Sequence, residues 1–452
     1  MELTKGLRSA VRGRVLTTGD PGYDDARALF AGGMDRRPAS IVRPAGADDV
    51  AAVVRAVGGA GLPLAVRGGG HSAVGHSVID DAVVLDLRDM RALDIDVDGR
   101  SAWAQTGLTA GEYTTAAGEH GLATGFGDTG SVGIGGITLG GGIGFLVRKH
   151  GMTIDDLLAA EIVTADGEVR QVDADHDPDL FWAIRGGGGN FGVATRLRFR
   201  LHEVPTIVGG ILILPATTDT IASFIAEALD APDELSTIAN VMPAPPMPFV
   251  PEELHGTPVI LAMLTYAGDT DAGERAVAPF RAIATPIADM LRPMTYPEMY
   301  MPEEGDYHPI SSVRSMLVDE IDASSAGTIL EHLDRSTALM AVAQLRVLGG
   351  AMARVPAEAT AFAHRDRRIM VNVATIYERA EERPVHEGWV EGLARALSHG
   401  ETGVYVNFLG DEGEARVREA YPGATWDRLT SIKARYDPTN LFRYNQNIPP
   451  AP

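Results

Sequence analysis

The sequence predicts an α+β protein in which a glycine-rich first part is followed by an antiparallel sheet backed by helices. Three observations carry this. The chain has 452 residues, a length that fits two or three domains rather than one core. Up to about residue 205, short strand patterns alternate with three glycine clusters: RGGGHS at 67–72, a run at 125–144, and RGGGGNFG at 185–192. Beyond that point the clusters stop, and longer apolar strands alternate with amphipathic helices, the pattern of a sheet covered by helices.

Residues 48–59 (DDVAAVVRAVGG) predict an amphipathic helix capped by aspartate. LPLAV at 62–66 predicts a short buried strand running straight into RGGGHS, and AVVLDL at 82–87 predicts the next strand. The glycine hexapeptide therefore lies on a loop at a strand end, where ligands are commonly held. Residues 125–144 (GFGDTGSVGIGGITLGGGIG) carry too few side chains to build an ordinary helix or strand core alone. Their backbone must lie close to something else. Strands at 159–164 and 168–172, joined by Ala165-Asp166-Gly167, read as a hairpin, and 193–202 alternates as a strand with Arg196, Arg198 and Arg200 on one face. Past residue 205, strands are expected at 210–214, 259–266, 340–348 and 369–376, with helices at 218–229, 271–284, 326–333 and 386–397 between them. The proline-rich stretch 242–251 and the aromatic, acidic stretch 296–308 read as long loops of the kind that wall a cavity. VYVNFL at 404–409 reads as a strand leading into an extended polar tail at 436–450, too polar for a core element.

The formal charge is −22 at pH 7, a field that repels phosphate backbones and anionic bilayers. This argues against nucleic-acid and membrane partners. No run of about 18 apolar residues occurs, and the N-terminus has no apolar leader with a small-residue cleavage site. The expectation is a cytoplasmic protein, monomeric or homodimeric. With no cysteine, disulfides, thiolate nucleophiles, Cys-type zinc sites and iron–sulfur clusters are excluded together. Any redox chemistry must come from a bound cofactor.

Glycine-rich turns suggest what that cofactor carries. Successive backbone N–H groups form a nest that accepts an anion without lysine or arginine, and residues 130–144 offer several. No Gly-Lys-Ser/Thr follows, so this is not a Walker A loop, and no acid about 20 residues on completes a dinucleotide fingerprint. Tight turns alone do not require three clusters within about 125 residues. His71 follows three glycines at a strand end, so its ring projects beside backbone that can approach a ligand closely. A histidine is commonly just a satisfied polar residue; here no Asp/Glu/His set at metal spacing accompanies it, and His76 is out of phase for joint zinc ligation. No metal site is expected. A histidine on such a loop can bond to a cofactor covalently or through a hydrogen bond.

RGGGHS at 67–72, VGIGG and LGGGIGFLVRKHGM within 132–152, DLFWAIRGGGGNFGV at 179–193 and YDPTNLFRYNQNI at 436–448 together resemble the motifs of the berberine-bridge-enzyme-like oxidoreductases. That family lies within the vanillyl-alcohol-oxidase superfamily, and the likeness is strongest to its bacterial members. It covers nearly the whole chain. The resemblance implies a PCMH-type, two-part FAD-binding domain formed by residues 1–205 and the returning segment 404–452. Residues 206–403 would form the substrate domain over the isoalloxazine ring.

On this resemblance His71 is the histidine joined to the flavin 8α-methyl group. Many members add a cysteinyl bond, but here Thr129 stands before Gly-Ser-Val-Gly, so a single covalent attachment of FAD is expected. Arg67, Gly68, Gly69, Gly70, Ser72 and Gly75 would lie along the cofactor. So would Thr129, Gly130, Gly133, Gly135, Gly136, Thr138, Gly141, Gly142 and Gly144. Glu161, Ile162 and Val163 would stand near the adenosine end, while Asn190, Tyr444, Asn445 and Asn447 would close over the cofactor. Val132 matches the position that gates oxygen at the flavin, where valine points to access and so to an oxidase.

On MAVAQLRVL at 340–348, period-2 alternation puts Gln344, Arg346 and Leu348 on one face. The family often presents a carboxylate from this strand, and that face has none. Gln344 and Arg346 are candidates to orient a substrate oxygen or stabilise developing negative charge; the plainer reading pairs the arginine with an acid from a neighbouring strand. Tyr405 and Asn407 alternate on the strand at 404–409 that leads into the tail, and a phenol accepts a proton if its pKa is lowered. More often such a tyrosine packs with its tip hydrogen-bonded. The sequence thus reads as an FAD-dependent oxidase that takes hydride from a C–H next to a hydroxyl or amine of a small molecule, such as a natural-product intermediate, and reduces O2 to H2O2. A dehydrogenase with a non-oxygen acceptor and a catalytically silent flavin-fold binding protein stay open as alternatives.

Overall fold

The computed structural model describes residues 2–301, 307–400 and 402–452. Near its start, strand Ser40–Arg43, helix Ala47–Ala60 and strand Leu64–Arg67 follow one another, and strand Val83–Asp86 lies between the two strands, parallel to both. Val50, Val53, Val54 and Val57 fall on the face this helix buries, and the helix ends on Gly61 with φ 64°. That left-handed conformation is the usual glycine cap. A second, wholly antiparallel sheet has the strand order Leu93–Asp96, Ser101–Gln105, Val193–Arg200, Leu157–Val163, Val169–Asp173.

The largest sheet is also antiparallel. Its strands run Ala288–Asp289, Ile207–Pro215, Pro258–Tyr266, Leu235–Pro243, Met340–Val347, Ile369–Tyr377 and Ile310–Val318, with Arg292–Met294 added beside Ile207–Pro215. Helices Thr218–Asp230, Thr270–Ala282, Ala323–Asp334 and Arg383–Leu397 contribute to one apolar core with this sheet. Three of them start on side-chain caps: Thr217 in a capping box, Asp269 to the Ala272 N–H at 2.9 Å, and Asp322 to the Ser325 N–H at 2.8 Å. Each such cap stabilises by about 1 kcal/mol. Strand period 2 then fixes function: Ala341, Ala343, Leu345 and Val347 bury toward the helices, which turns Gln344 and Arg346 to the opposite face.

Several elements differ from the sequence reading. Within 125–144 a helix does form, Ile134–Gly140, because its buried Ile134, Thr138 and Leu139 are packed by neighbours that offset the weak propensity of glycine. Strands Leu235–Pro243 and Ile310–Val318 were not anticipated. Tyr405 and Asn407 sit not on a strand but on and beside a single 3-10 turn, Val406–Phe408. The segment 436–450 is not merely a polar tail: it follows helices Glu414–Ala420 and Ala424–Tyr436 and buries Leu441, Phe442 and Ile448. The proline-rich stretch packs Met242, Ala244 and Val250 against Ile211, Ile213 and Leu261 of the large sheet. Of the stretch 296–308, Tyr296 and Tyr300 are buried, and 302–306 lie outside the described residues. Among the described residues, no helix is long and apolar enough to cross a membrane.

Candidate active site

A cavity of about 550 Å³ lies where the glycine loops, the inner face of the large sheet and the returning C-terminal segment meet. The loop after strand Leu64–Arg67 brings Gly68, Gly69, Gly70, His71 and Ser72 to its wall, and the second cluster brings Asp128, Thr129, Val132, Gly133, Gly135 and Gly136. From the sheet come Ser311, Val313, Gln344, Arg346 and Asn372; Tyr405, Asn407 and Phe408 follow from the 3-10 turn, and Tyr444 and Asn445 from the tail.

The first two glycine loops cross in direct backbone contact. A Cβ built on Gly69 would stand 2.3 Å from the Gly133 nitrogen, and one on Gly133 would stand 2.3 Å from the Gly69 nitrogen. Only glycine allows that approach. The crossing sets His71 beside Ser131, whose Oγ lies 2.8 Å from His71 Nε2. Phe30 stacks on the imidazole face at 4.4 Å between centroids and 19° between planes.

At the sheet end, hydrogen bonds link three strands to the glycine loop, with Arg346 donating both ways. Asn240 Nδ2 donates to the Leu261 carbonyl at 3.1 Å, Gln344 Nε2 to Asn240 Oδ1 at 2.9 Å, and Arg346 Nε to Gln344 Oε1 at 2.9 Å. Arg346 Nη2 then donates to the Asp128 carboxylate, and Nη1 to the Ile143 carbonyl at 3.3 Å. Both amides are thereby fixed in orientation. The partner acid of Arg346 comes from the glycine loop, not from a neighbouring strand. Tyr405 is almost fully buried, and its phenol oxygen accepts from the Gly142 N–H at 2.7 Å and from Asn407 Nδ2 at 2.8 Å. Burial pushes this phenol up from its ordinary value; the Asn407 and Gly142 donors act the other way without overcoming it. The lowered pKa that a proton-accepting phenol would need is therefore not found.

Comparison with known proteins matches residues 38–173 to an FAD binding domain and residues 404–449 to a berberine and berberine-like segment. Over 98% of its length the chain is 32% identical to (R)-6-hydroxynicotine oxidase of Paenarthrobacter nicotinovorans, covering 97% of that protein. It is 30% identical to an FAD-linked oxidoreductase of Bacillus subtilis, covering 100% of this chain and 98% of the relative. The chain belongs to the berberine-bridge-enzyme-like FAD-linked oxidoreductases. Crystalline 6-hydroxy-D-nicotine oxidase from Arthrobacter nicotinovorans superposes with a TM-score of 0.86 at 27% identity over 98% of each chain. A berberine-bridge-enzyme-like protein of Physcomitrella patens shares the fold, with a TM-score of 0.88 at 22% identity over 100% of this chain and 99% of that one.

The cavity of this berberine-bridge-enzyme-like oxidoreductase fits FAD on evidence internal to the chain. Gly136 and Gly189 line it, and a Cβ on either would meet nothing within 4 Å, while neither has a left-handed φ. Neither turn geometry nor packing within the chain requires glycine there, so the bare backbone serves a ligand. Asn445 Oδ1 on the tail and Asn372 Oδ1 on the large sheet are buried with no hydrogen-bond partner. Buried acceptors of this kind are costly unless something occupies them.

The residues expected along the cofactor divide in two. Gly68, Gly69, Gly70, His71, Ser72, Thr129, Val132, Gly133, Gly135, Gly136, Asn190, Tyr444 and Asn445 line the cavity. The structure does not bring the others to its wall. Arg67 is buried behind the loop, donating to the Ala26 and Ala28 carbonyls. Burial, with the charge of Arg88 second, pulls its pKa down to about 10. Gly75 packs on Met34 and Leu29, Gly130 lies against Gly111 and Tyr300, Gly141 on Met152 and Tyr405, Gly142 on Thr153, and Gly144 on the Phe126 carbonyl. Thr138 bonds its own helix at the Ile134 carbonyl, 2.6 Å away. Glu161 accepts from Thr195 and Arg196, Ile162 and Val163 are buried in apolar cores, and Asn447, whose Oδ1 is buried without a hydrogen-bond partner, is not among the wall-lining residues. These glycines shape the loop from behind. All four candidates for chemistry, Gln344, Arg346, Tyr405 and Asn407, do share the cavity. Asp128 was missed, because only the tertiary fold sets it against Arg346; it is the one carboxylate among the described residues lining the cavity.

Proposed function

We propose that this FAD-linked oxidoreductase is an oxidase, taking hydride from a C–H bond next to a hydroxyl or amine of a small molecule and returning the electrons to O2 as hydrogen peroxide. The observation that supports it best is the continuity of the cavity, in which the glycine wall and the polar end share one space. FAD, when bound, supplies the two-electron chemistry, and protein side chains position the donor and take its proton. Tyr405, kept protonated by burial, donates to the substrate heteroatom, with Asn407 holding the phenol in place. Asp128, held in place by its ion pair with Arg346, takes the proton. Because Asp128 and Arg346 cancel one another, the site suits an uncharged donor better than an anion.

His71 is the proposed covalent anchor for FAD, and Thr129 leaves it the single one. Residues 1–205 with 404–452 are proposed as the cofactor unit, and 206–403 as the substrate unit. For the acceptor, Val132 stands half-buried on the cavity wall. A grass pollen protein of this fold is described as a glucose dehydrogenase in the wild type and as a glucose oxidase as an isoleucine-to-valine variant. Relatives named for 6-hydroxynicotine and for xylooligosaccharides point to ring-bearing hydroxylated or amine donors as the substrate class.

The test combines a substrate panel with two acceptors. Purified protein is offered 6-hydroxynicotine, xylobiose and benzylic alcohols, in air with coupled peroxide detection and under argon with a dye. Peroxide equal to product supports the oxidase; turnover with the dye alone moves the reading to a dehydrogenase. A colourless protein without bound flavin would sink both.

A further inference from the structure

We propose that Ser131 orients His71 for flavin attachment and relays the proton the imidazole must lose when the bond forms. This rests on the reading of His71 as the covalent anchor. The geometry that carries it is local: Ser131 Oγ sits 2.8 Å from His71 Nε2, Phe30 stacks on the ring face at 4.4 Å, and the Gly69–Gly133 crossing holds the two loops in register. Edge and face of the imidazole are both fixed, while His71, Thr129 and Val132 line the cavity on either side of the serine.

The hydrogen bond assigns the chemistry to the two nitrogens. A neutral imidazole carries one N–H and one lone pair. On this proposal Ser131 keeps its bond to Nε2 throughout, so that Nε2 carries the N–H donated to the serine and Nδ1 attacks the 8α-methyl carbon. In the product Nδ1 is alkylated, so Nε2 must release its proton or leave a cation in a half-buried site. A hydroxyl suits both stages, since it accepts from Nε2–H beforehand and donates to the bare Nε2 afterwards.

The balance closes. The Nδ1–C8α bond replaces one C–H bond of the methyl group. The methyl hydrogen and the imidazole hydrogen leave with one electron pair, and O2 accepts them as hydrogen peroxide. The modified chain therefore gains the mass of FAD less two hydrogens.

Apoprotein of the full chain is loaded with FAD, and the covalent fraction is followed by denaturing mass and by colour retained after acid precipitation. Tm and non-covalent FAD affinity are measured beside it. S131A is expected to bind FAD as the wild type does but to attach it about a hundredfold more slowly, the low end for assisted proton transfer. S131T, which keeps the hydroxyl, should restore the rate, and raising the pH to about 9, above the imidazole range, should recover part of it in S131A. Flavopeptide NMR should place the bond on Nδ1. Attachment in S131A at the wild-type rate overturns the inference and leaves His71 as the anchor. Loss of FAD affinity in S131A, or a bond at Nε2, overturns it as well. A wild-type chain of apo mass overturns the anchor and the serine together.

Discussion

His76 stands on the cavity wall, and burial, with the charge of Arg36 second, holds its pKa down to about 4. In the unfolded chain it returns to about 6.5. Between those values the unfolded state binds more protons, so stability rises with pH. The contribution is whole above about pH 6.5 and is lost as the pH falls through the folded value near 4. H76N removes it, and the drop in urea midpoint between pH 7 and pH 5, both taken as approximate working values, should be visibly smaller than in the wild type. An unchanged drop would mean that His76 does not titrate on unfolding. Tyr405 gives a second test at this scale. Y405F leaves the Gly142 N–H and one Asn407 N–H without an acceptor, which costs about 1–3 kcal/mol. If the phenol orients the reacting heteroatom, kcat on any substrate from the panel should fall far more than KM rises. A pure KM effect would leave it a binding contact only.

Among the elements, the helix Ile134–Gly140 separates glycines that serve the chain from glycines that serve a ligand. Gly136 has open space where a Cβ would go, whereas Gly69 has the Gly133 nitrogen 2.3 Å away. G136V should therefore leave the Tm of the apoprotein nearly unchanged, within about 0.5 kcal/mol of wild type, yet lose FAD. G69A should lower the Tm before any cofactor is considered, by about 1–3 kcal/mol of forced backbone movement. Tm and the ratio of flavin to protein absorbance report both; full FAD loading of G136V would remove the cradle argument. The same helix marks where the sequence stops being legible. Helix Ala47–Ala60 and the parallel strands around it are written in valine spacing, and the capped helices of the large sheet in their apolar stripes. Ile134–Gly140 has no such stripe, since its packing is supplied by other segments. Leu235–Pro243 and Ile310–Val318 escaped because they carry Ser236, Asn240, Ser311 and Ser312 where a strand pattern expects apolar residues, and of these Ser311 lines the cavity. The cofactor loops were legible as glycine clusters, but which glycine touches the cavity depends on how two loops cross. Asp128 gave no local signal at all.

The whole molecule closes its cofactor wall only when the chain returns. Lys433, fully buried on helix Ala424–Tyr436, donates to Asp437 at 2.7 Å, to the Phe442 carbonyl at 3.0 Å and to the Asn190 carbonyl at 2.7 Å. It thus ties the tail, which carries Tyr444 and Asn445, to the third glycine cluster, two parts of the wall some 250 residues apart in the chain, as the 243-residue separation of Lys433 and Asn190 shows. K433M should cost about 3–5 kcal/mol, because it strands a buried carboxylate, and FAD retention should fall with it. Removing both charges of a buried pair is often nearly neutral, but not here: Asp437 also accepts the Leu441 N–H at 2.7 Å and the Phe442 N–H at 2.9 Å. K433M/D437L orphans both donors at about 1–3 kcal/mol each, so it should stay well below wild type in urea unfolding. K433M/D437N discards the stranded charge while its amide oxygen still accepts one N–H, and should recover part of the loss. A K433M/D437L double variant as stable as the wild type would reduce the pair to a simple ion pair and take from it the task of folding the tail over the cavity.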